Sequence, residues 1–298
     1  MVDQDPIVVI GSANCDYAVF MHELPKPGET VLASGAARFA GGKGLNQATA
    51  AHRAAGEVRF QFAHGDDDEG NFLTEFLGKQ GMVHVPVLDL HLPTGRAYIF
   101  VDEEGENQIV VVPGANRSRK LKDVVFEPGP GFLVLQLEIG NDNNLFLAEQ
   151  AKGAGWTVVL TPAPSSEFDS GLLSKVDILT LNESEALQIG GGSDFMTSGK
   201  NLSQKVQSVY LTRGSKGVSV FEAGELIGHV DAMAVSALDA TGAGDTFCGY
   251  LVAGLSQGLL PMEAAKLATI AAGLAVQAMG ASESVPFRSQ VDSVLDKD

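Results

Sequence analysis

Cysteine and tryptophan are scarce in this chain: 298 residues carry two Cys and one Trp. Cys15 and Cys248 are too few and too far apart for a disulfide framework or a zinc site, and the expectation is a reducing, cytoplasmic compartment. Basic residues are also few. Lys plus Arg total 20 against 37 Asp plus Glu, a net charge of −17. That is the wrong sign for neutralising a nucleic-acid backbone or docking on anionic lipid. No apolar run is long enough to cross a bilayer: LATIAAGLAVQAMG (267–280) falls short of the roughly 18–20 residues required and contains Gln277, so a buried helix is expected. The opening MVDQDPIVVIG has no basic start and no cleavage site, and reads as a first strand rather than a signal peptide. GxxxxGK[ST] does not occur, and no GxGxxG follows a predicted strand.

Glycine, by contrast, is plentiful at 35 residues, and it is placed at individual turns rather than in repeats. Apolar runs at 7–11, 58–63, 131–137, 156–160, 176–181 and 208–212 predict strands buried on both faces. Helical patterns lie between them at 44–55, 70–80, 143–154 and 182–190. This alternation predicts a doubly wound, mostly parallel sheet. GRAYIFVDEEGENQIVVV (95–112) reads as a hairpin around an acidic turn, and 17–39 has extended character. Together these two regions predict a small β unit beside the main sheet. A further hairpin is expected at 218–230, followed by two Ala/Gly-rich helices at about 243–257 and 261–278.

Four stretches carry candidate chemistry. In DATGAGDTF (239–247), Gly242, Ala243 and Gly244 allow backbone N–H groups to converge on an anion at a helix N-terminus, with Asp245 beside them as a proton acceptor. An ordinary loop with Asp245 or Thr246 as helix cap accounts for the spacing equally well. In GGKGLNQA (41–48), Gly42, Lys43 and Asn46 suit a polyhydroxylated ligand, or a solvated loop before a helix. Asn14 and Asp16 follow the first strand, where open α/β sheets bind ligands, and are also plain turn formers. Glu138 ends another strand, as hydroxyl acceptor or surface residue. Asn182 and Glu185 fit a capping box or a carboxylate holding hydrated Mg²⁺.

With these stretches stand PKPGET (25–30), DEEGENQIVVVPGAN (102–116), LQLE (135–138), TPAP (161–164), LTLNESEA (179–186), LTRGSKG (211–217) and GASESVPF (280–287). In this order they resemble the ribokinase/PfkB family of carbohydrate kinases along almost the whole chain. The resemblance implies a Rossmann-like three-layer α/β/α domain over 1–298, with a mostly parallel central sheet and a β-sheet lid from segments about 15–40 and 93–113. It also implies a homodimer through the lids.

By motif position, Asp245 resembles the catalytic base and the amides of 241–245, including Gly242, Ala243 and Gly244, the anion hole. Asn14, Asp16, Gly42, Lys43, Asn46 and Glu138 resemble the sugar contacts. Asn182, Thr212, Gly214, Gly217 and Gly244 match the ATP site. Glu185 matches the Mg²⁺ motif through water. Asp239, Thr241, Ala275, Ala278, Gly280 and Ser284 match a monovalent-cation site, usually for K⁺. Arg213 departs from a position that is often apolar or polar in relatives, and Thr241 with Gly242 from other small residues. The implied reaction is ATP-dependent phosphorylation of D-ribose at O5. A kinase for 2-deoxyribose, fructose or a nucleoside is the nearest alternative, and a non-catalytic sugar or nucleotide sensor a distant one.

Overall fold

A computed structural model describes residues 4–296; of the expected unit 1–298, residues 1–3 and 297–298 lie outside the described residues. The first half runs β1 (Ile7–Ile10), β2 (Asn14–Phe20), β3 (Gly35–Gly41), α1 (Lys43–Arg53), β4 (Val58–Gly65), α2 (Asp68–Gln80), β5 (Val83–Asp89), β6 (Gly95–Val101), β7 (Asn107–Val112), β8 (Phe132–Gln136) and α3 (Asn141–Gly153). The second runs β9 (Thr157–Thr161), β10 (Ile178–Asn182), α4 (Glu183–Gly190), α5 (Phe195–Ser203), β11 (Ser208–Thr212), β12 (Val218–Glu222), β13 (Glu225–Val230), α6 (Ala243–Ser256), α7 (Pro261–Ala275) and α8 (Arg288–Leu295).

The main sheet has the order β13-β12-β11-β10-β9-β8-β1-β4-β5. Every pairing from β11 to β5 is parallel, and only β12 and β13 run antiparallel at one edge. The inner strands β1, β8, β9, β10 and β11 are mostly apolar and buried because both faces are covered. In β1, Ile7 and Val9 join the core beneath α1, α6 and α7, while Val8 and Ile10 join the opposite core beneath α3, α4 and α5. All four are buried, and each such side chain contributes about 1.5–3 kcal/mol. Of the stretch expected as a buried helix, residues 267–275 are helical and largely buried at the end of α7, while residues 277–279 are exposed and outside it; no described helix is long and apolar enough to cross a membrane.

A separate four-stranded sheet has the order β3-β2-β6-β7. Its hairpin β6–β7 spans the acidic turn as expected, and β2 pairs antiparallel with β3 and parallel with β6. Asn14–Asp16, read as a ligand site or as turn formers, is the start of β2, with Asn14 opposite both Gly41 and Gly95. Three elements escaped the sequence pattern. β5 carries Pro86, which a strand tolerates only at a sheet edge, where β5 lies. α5 and α8 have nine and eight residues, too short for a clear period.

Candidate active site

β1 is the point where the chain's sheet order reverses, with β4 on one side and β8 on the other. Crevices at the carboxyl ends of strands flanking such a point are where open α/β sheets bind ligands. Gly11 at the end of β1 and Gly44 in the first turn of α1 let two backbones touch there. A Cβ on Gly44 would lie 2.6 Å from Gly11 C and Cα. This contact brings the N-terminus of α1, with Lys43, Asn46 and Gln47, against the ends of β1 and β8.

The N-terminus of α6 faces the same crevice. Gly242 occupies the N-cap in the left-handed conformation (φ 75°), and no side chain caps the helix. The capping alternative for Asp245 therefore fails. Its carboxylate, 5 % exposed, is held by two amides: Asn46 Nδ2 donates to Oδ2 at 3.1 Å and Gln47 Nε2 to Oδ1 at 2.9 Å. Lys43 is not a solvated loop residue. The negative charge of Asp245, then those of Glu138 and Glu185, outweigh burial and hold its ammonium protonated to higher pH than usual.

A cavity of about 510 Å³ opens from this point. Among the sequence candidates, its walls include Lys43, Asn182, Glu185, Thr212, Gly214 and Gly217, and it ends on Gly242, Ala243, Gly244 and Asp245. Val218, Met233, Val235 and Val276 give it an apolar side. Asn182 and Glu185 form a reciprocal capping box at the start of α4 and also face the cavity, so the two readings of that pair coexist. Burial pushes the Glu185 carboxyl above its usual range, against the Asn182 N–H and Lys43.

On the other side of Asp245 lie the remaining polar candidates. Glu138, just after β8, accepts from Lys43 N at 3.2 Å and from the Ser12 hydroxyl, so it is part of the site's frame rather than a plain surface residue. Asn14 is 2 % exposed, and its Oδ1 accepts from Asn116 Nδ2 at 2.7 Å. Asn46 Oδ1 and Asp16 Oδ1 are buried with no partner within the protein. The Asp16 carboxylate fills the space over Gly41, where a Cβ would lie 1.9 Å from Oδ2. Burial, with the charges of Glu138 and Glu283, pushes its pKa up to about 8. Gly42 (φ 95°) caps α1 and turns the chain from β3 into that helix.

The cation candidates form the loop beside the α6 N-terminus. Asp239 accepts from Thr241 N at 2.9 Å through Oδ1 and from Gly280 N at 3.0 Å through Oδ2, joining the two loops. Ala275 and Ala278 are bonded to each other at the end of α7. Ala278 and Ser284 open onto a second depression of about 400 Å³. No group of three or more His, Cys, Asp or Glu able to hold a metal occurs among the described residues. Both cysteines are free and buried.

Sequence reasoning missed Ser12, Gln47, Asn116 and Gln136, which orient the candidates from behind, and the Thr161–Thr180 pair on the cavity wall. Gln47 and Asn116 sit inside quoted motifs, but nothing in the pattern distinguishes a supporting amide from its neighbours.

The model of the pfkB family of carbohydrate kinases matches residues 4–288. The ribokinase of Arabidopsis thaliana is 34 % identical over 97 % of this chain and 81 % of its own length. A crystal structure of ribokinase from Thermotoga maritima superposes with a TM-score of 0.87 at 33 % identity, over 98 % of this chain and 99 % of that one. The structure of Arabidopsis thaliana ribokinase complexed with ribose and ATP has a TM-score of 0.84 at 31 % identity, over 98 % and 99 %. A match across nearly the whole chain, in sequence and in fold, places this chain in the pfkB family of carbohydrate kinases.

Proposed function

We propose that this chain is an ATP-dependent kinase of D-ribose, transferring the γ-phosphoryl group to O5 and yielding D-ribose 5-phosphate and ADP. The observation that carries the reading is Asp245: a buried carboxylate at the N-terminus of α6, between a nucleotide-sized cavity and a cluster of hydroxyl-binding groups. In this reading Asp245 accepts the O5 proton as that oxygen attacks phosphorus. The amides of residues 241–245, at the positive end of α6, stabilise charge on the transferred group. Asn182, Thr212, Gly214, Gly217 and Gly244 line the ATP side.

Asn14, Asp16, Gly42, Lys43, Asn46 and Glu138 hold the sugar. The unpartnered oxygens of Asp16 and Asn46 support this assignment, since a buried acceptor without a donor costs about 1–3 kcal/mol until a ligand hydroxyl supplies one. The same magnitude predicts that D-ribose outperforms 2-deoxyribose in kcat/KM by about 5- to 150-fold.

Oxygen donors suit hard cations. Glu185, a half-buried carboxylate on the cavity wall with only a backbone amide on one oxygen, fits hydrated Mg²⁺. The backbone carbonyls of Asp239, Thr241, Ala275, Ala278 and Gly280 with the Ser284 hydroxyl are a neutral set that fits K⁺. When bound, Mg²⁺ neutralises phosphate charge and K⁺ fixes the loop carrying the anion-hole amides.

The four-stranded sheet is read as a lid from segments about 15–40 and 93–113 on a single domain, closing over the sugar to exclude water. Its edge strand β7 exposes Ile109, Val110, Val111 and Val112, an apolar row that supports a homodimer through the lids. Two free cysteines support a cytoplasmic setting. The test is ADP release with MgATP and D-ribose, 2-deoxyribose, fructose or adenosine, with and without K⁺. Potassium-stimulated release selective for ribose is expected. Release with another acceptor alone overturns the sugar, and silence with every acceptor overturns the kinase reading.

A further inference from the structure

Behind Asp245 lies a chain of buried amides that neither lines the cavity nor belongs to the sugar-contact set. Gln47, in the second turn of α1, and Gln136, the last residue of β8, are both fully buried. Gln136 Nε2 donates to Gln47 Oε1 at 2.8 Å, and Gln47 Nε2 donates to Asp245 Oδ1 at 2.9 Å and to Thr161 Oγ1 at 3.2 Å. Thr161 in turn shares a hydrogen bond of 2.7 Å with Thr180.

The direction of this chain is fixed by chemistry. A carboxylate only accepts, so the end of Gln47 that faces Asp245 must be the NH₂ group, which leaves Oε1 to take its donor from Gln136. Gln136 is itself confined: a Cβ on Gly11 would lie 2.1 Å from its Oε1, so only glycine there leaves room for the amide. Two rigid elements, α1 and β8, therefore fix the one donor to Oδ1 of the base. Asn46 holds the other oxygen, but its own Oδ1 is free for a ligand, whereas every hydrogen-bonding atom of the Gln47 amide is used within the protein.

We propose that Gln47, oriented by Gln136, is a positioning residue that fixes the Asp245 carboxylate at its Oδ1 edge and so aims Oδ2 at the acceptor hydroxyl. The inference rests on the reading of Asp245 as the base. Gln47 touches no substrate; it acts through Asp245 alone. Gln47→Leu then lowers kcat roughly 10- to 100-fold, the scale of a misplaced catalytic group, while KM for D-ribose and for ATP stays within about twofold. Gln136→Glu, nearly isosteric, turns the Gln47 amide around, presents Oε1 to Asp245 and lowers kcat comparably. Gln136→Met, which imposes no reversal, has a milder effect.

The experiment is a double-mutant cycle on steady-state kcat with Asp245→Asn, Gln47→Leu and the double variant, with thermal melts confirming that each folds. Gln136→Glu and Gln136→Met serve as the second pair should Gln47→Leu fail to fold. The expected result is that Gln47→Leu costs activity in the parent but nothing further beside Asp245→Asn. Losses that multiply, an unchanged kcat in Gln47→Leu, or equal kcat in the two Gln136 variants would overturn the proposal. Full activity in Asp245→Asn itself would instead overturn the assignment of the base.

Discussion

Asp16 makes the pH dependence of this protein calculable. Its carboxylate is packed over Gly41, has one oxygen with no partner, and faces the negative charges of Glu138 and Glu283. Its pKa rises from 3.8 to about 8 in the fold. An acid with a raised folded-state pKa retains its proton where the unfolded chain has lost it, so the contribution of Asp16 to stability falls as pH rises from about 4 to about 8 and is constant above. At 1.36 kcal/mol per unit, the ceiling is about 6 kcal/mol, with relaxation and water entry lowering the observed value.

Asp16→Asn cannot ionise, so it loses this slope and melts higher than the parent at pH 8. Sugar hydroxyls donating to Asp16 favour the ionised form. Ribose binding at pH 6–7 therefore releases up to about one proton in the parent and none in the variant. Thermal melts across pH 4–9, with calorimetric titration of ribose in two buffers of different ionisation enthalpy, measure both effects. Parallel melting curves for the two proteins, or identical binding heats in the two buffers, would refute the reasoning.

Three further outcomes follow from particular contacts. Gly44→Ala favours the helix locally, but its methyl meets the Gly11 backbone at 2.6 Å and displaces the first turn of α1; a net destabilisation of about 1–3 kcal/mol and a fall in kcat/KM for ribose are expected from denaturant melts and kinetics. Asn182→Ala removes the side-chain oxygen that accepts from the Glu185 N–H, costing about 1 kcal/mol, and loosens the first turn of α4 that holds Glu185 on the cavity wall, so KM for MgATP rises while KM for ribose holds. Val110→Lys puts a charge on the apolar edge of β7; with the lids paired as proposed, light scattering is expected to report a dimer for the parent and a monomer for the variant.

What was legible in the sequence follows from its physics. Strands buried on both faces, such as Phe132–Gln136 and Ser208–Thr212, are continuous apolar runs, and glycine marks the turns at Gly42 and Gly242 because both have positive φ. The Asn182–Glu185 box was visible because capping depends on a local spacing. That Asn14 opens a strand left no local trace, because its strand partners are Gly41 and Gly95, distant in sequence. The amides behind Asp245 were invisible for the same reason: Gln136 and Gln47 are 89 residues apart, and Gln47 and Asp245 are 198 apart. A glutamine that orients a base reads, in one sequence, like any other helix residue.

In the proposed reaction Asp245 takes the proton from the sugar's O5. Single-turnover phosphoryl transfer from MgATP to D-ribose, with ³¹P NMR locating the phosphate, tests it in folded parent and Asp245→Asn proteins. Phosphate on O5 in the parent and a rate on the order of 10²–10⁴ lower in the variant are expected. A near-parental rate in a folded variant, or phosphate on another oxygen, would contradict it.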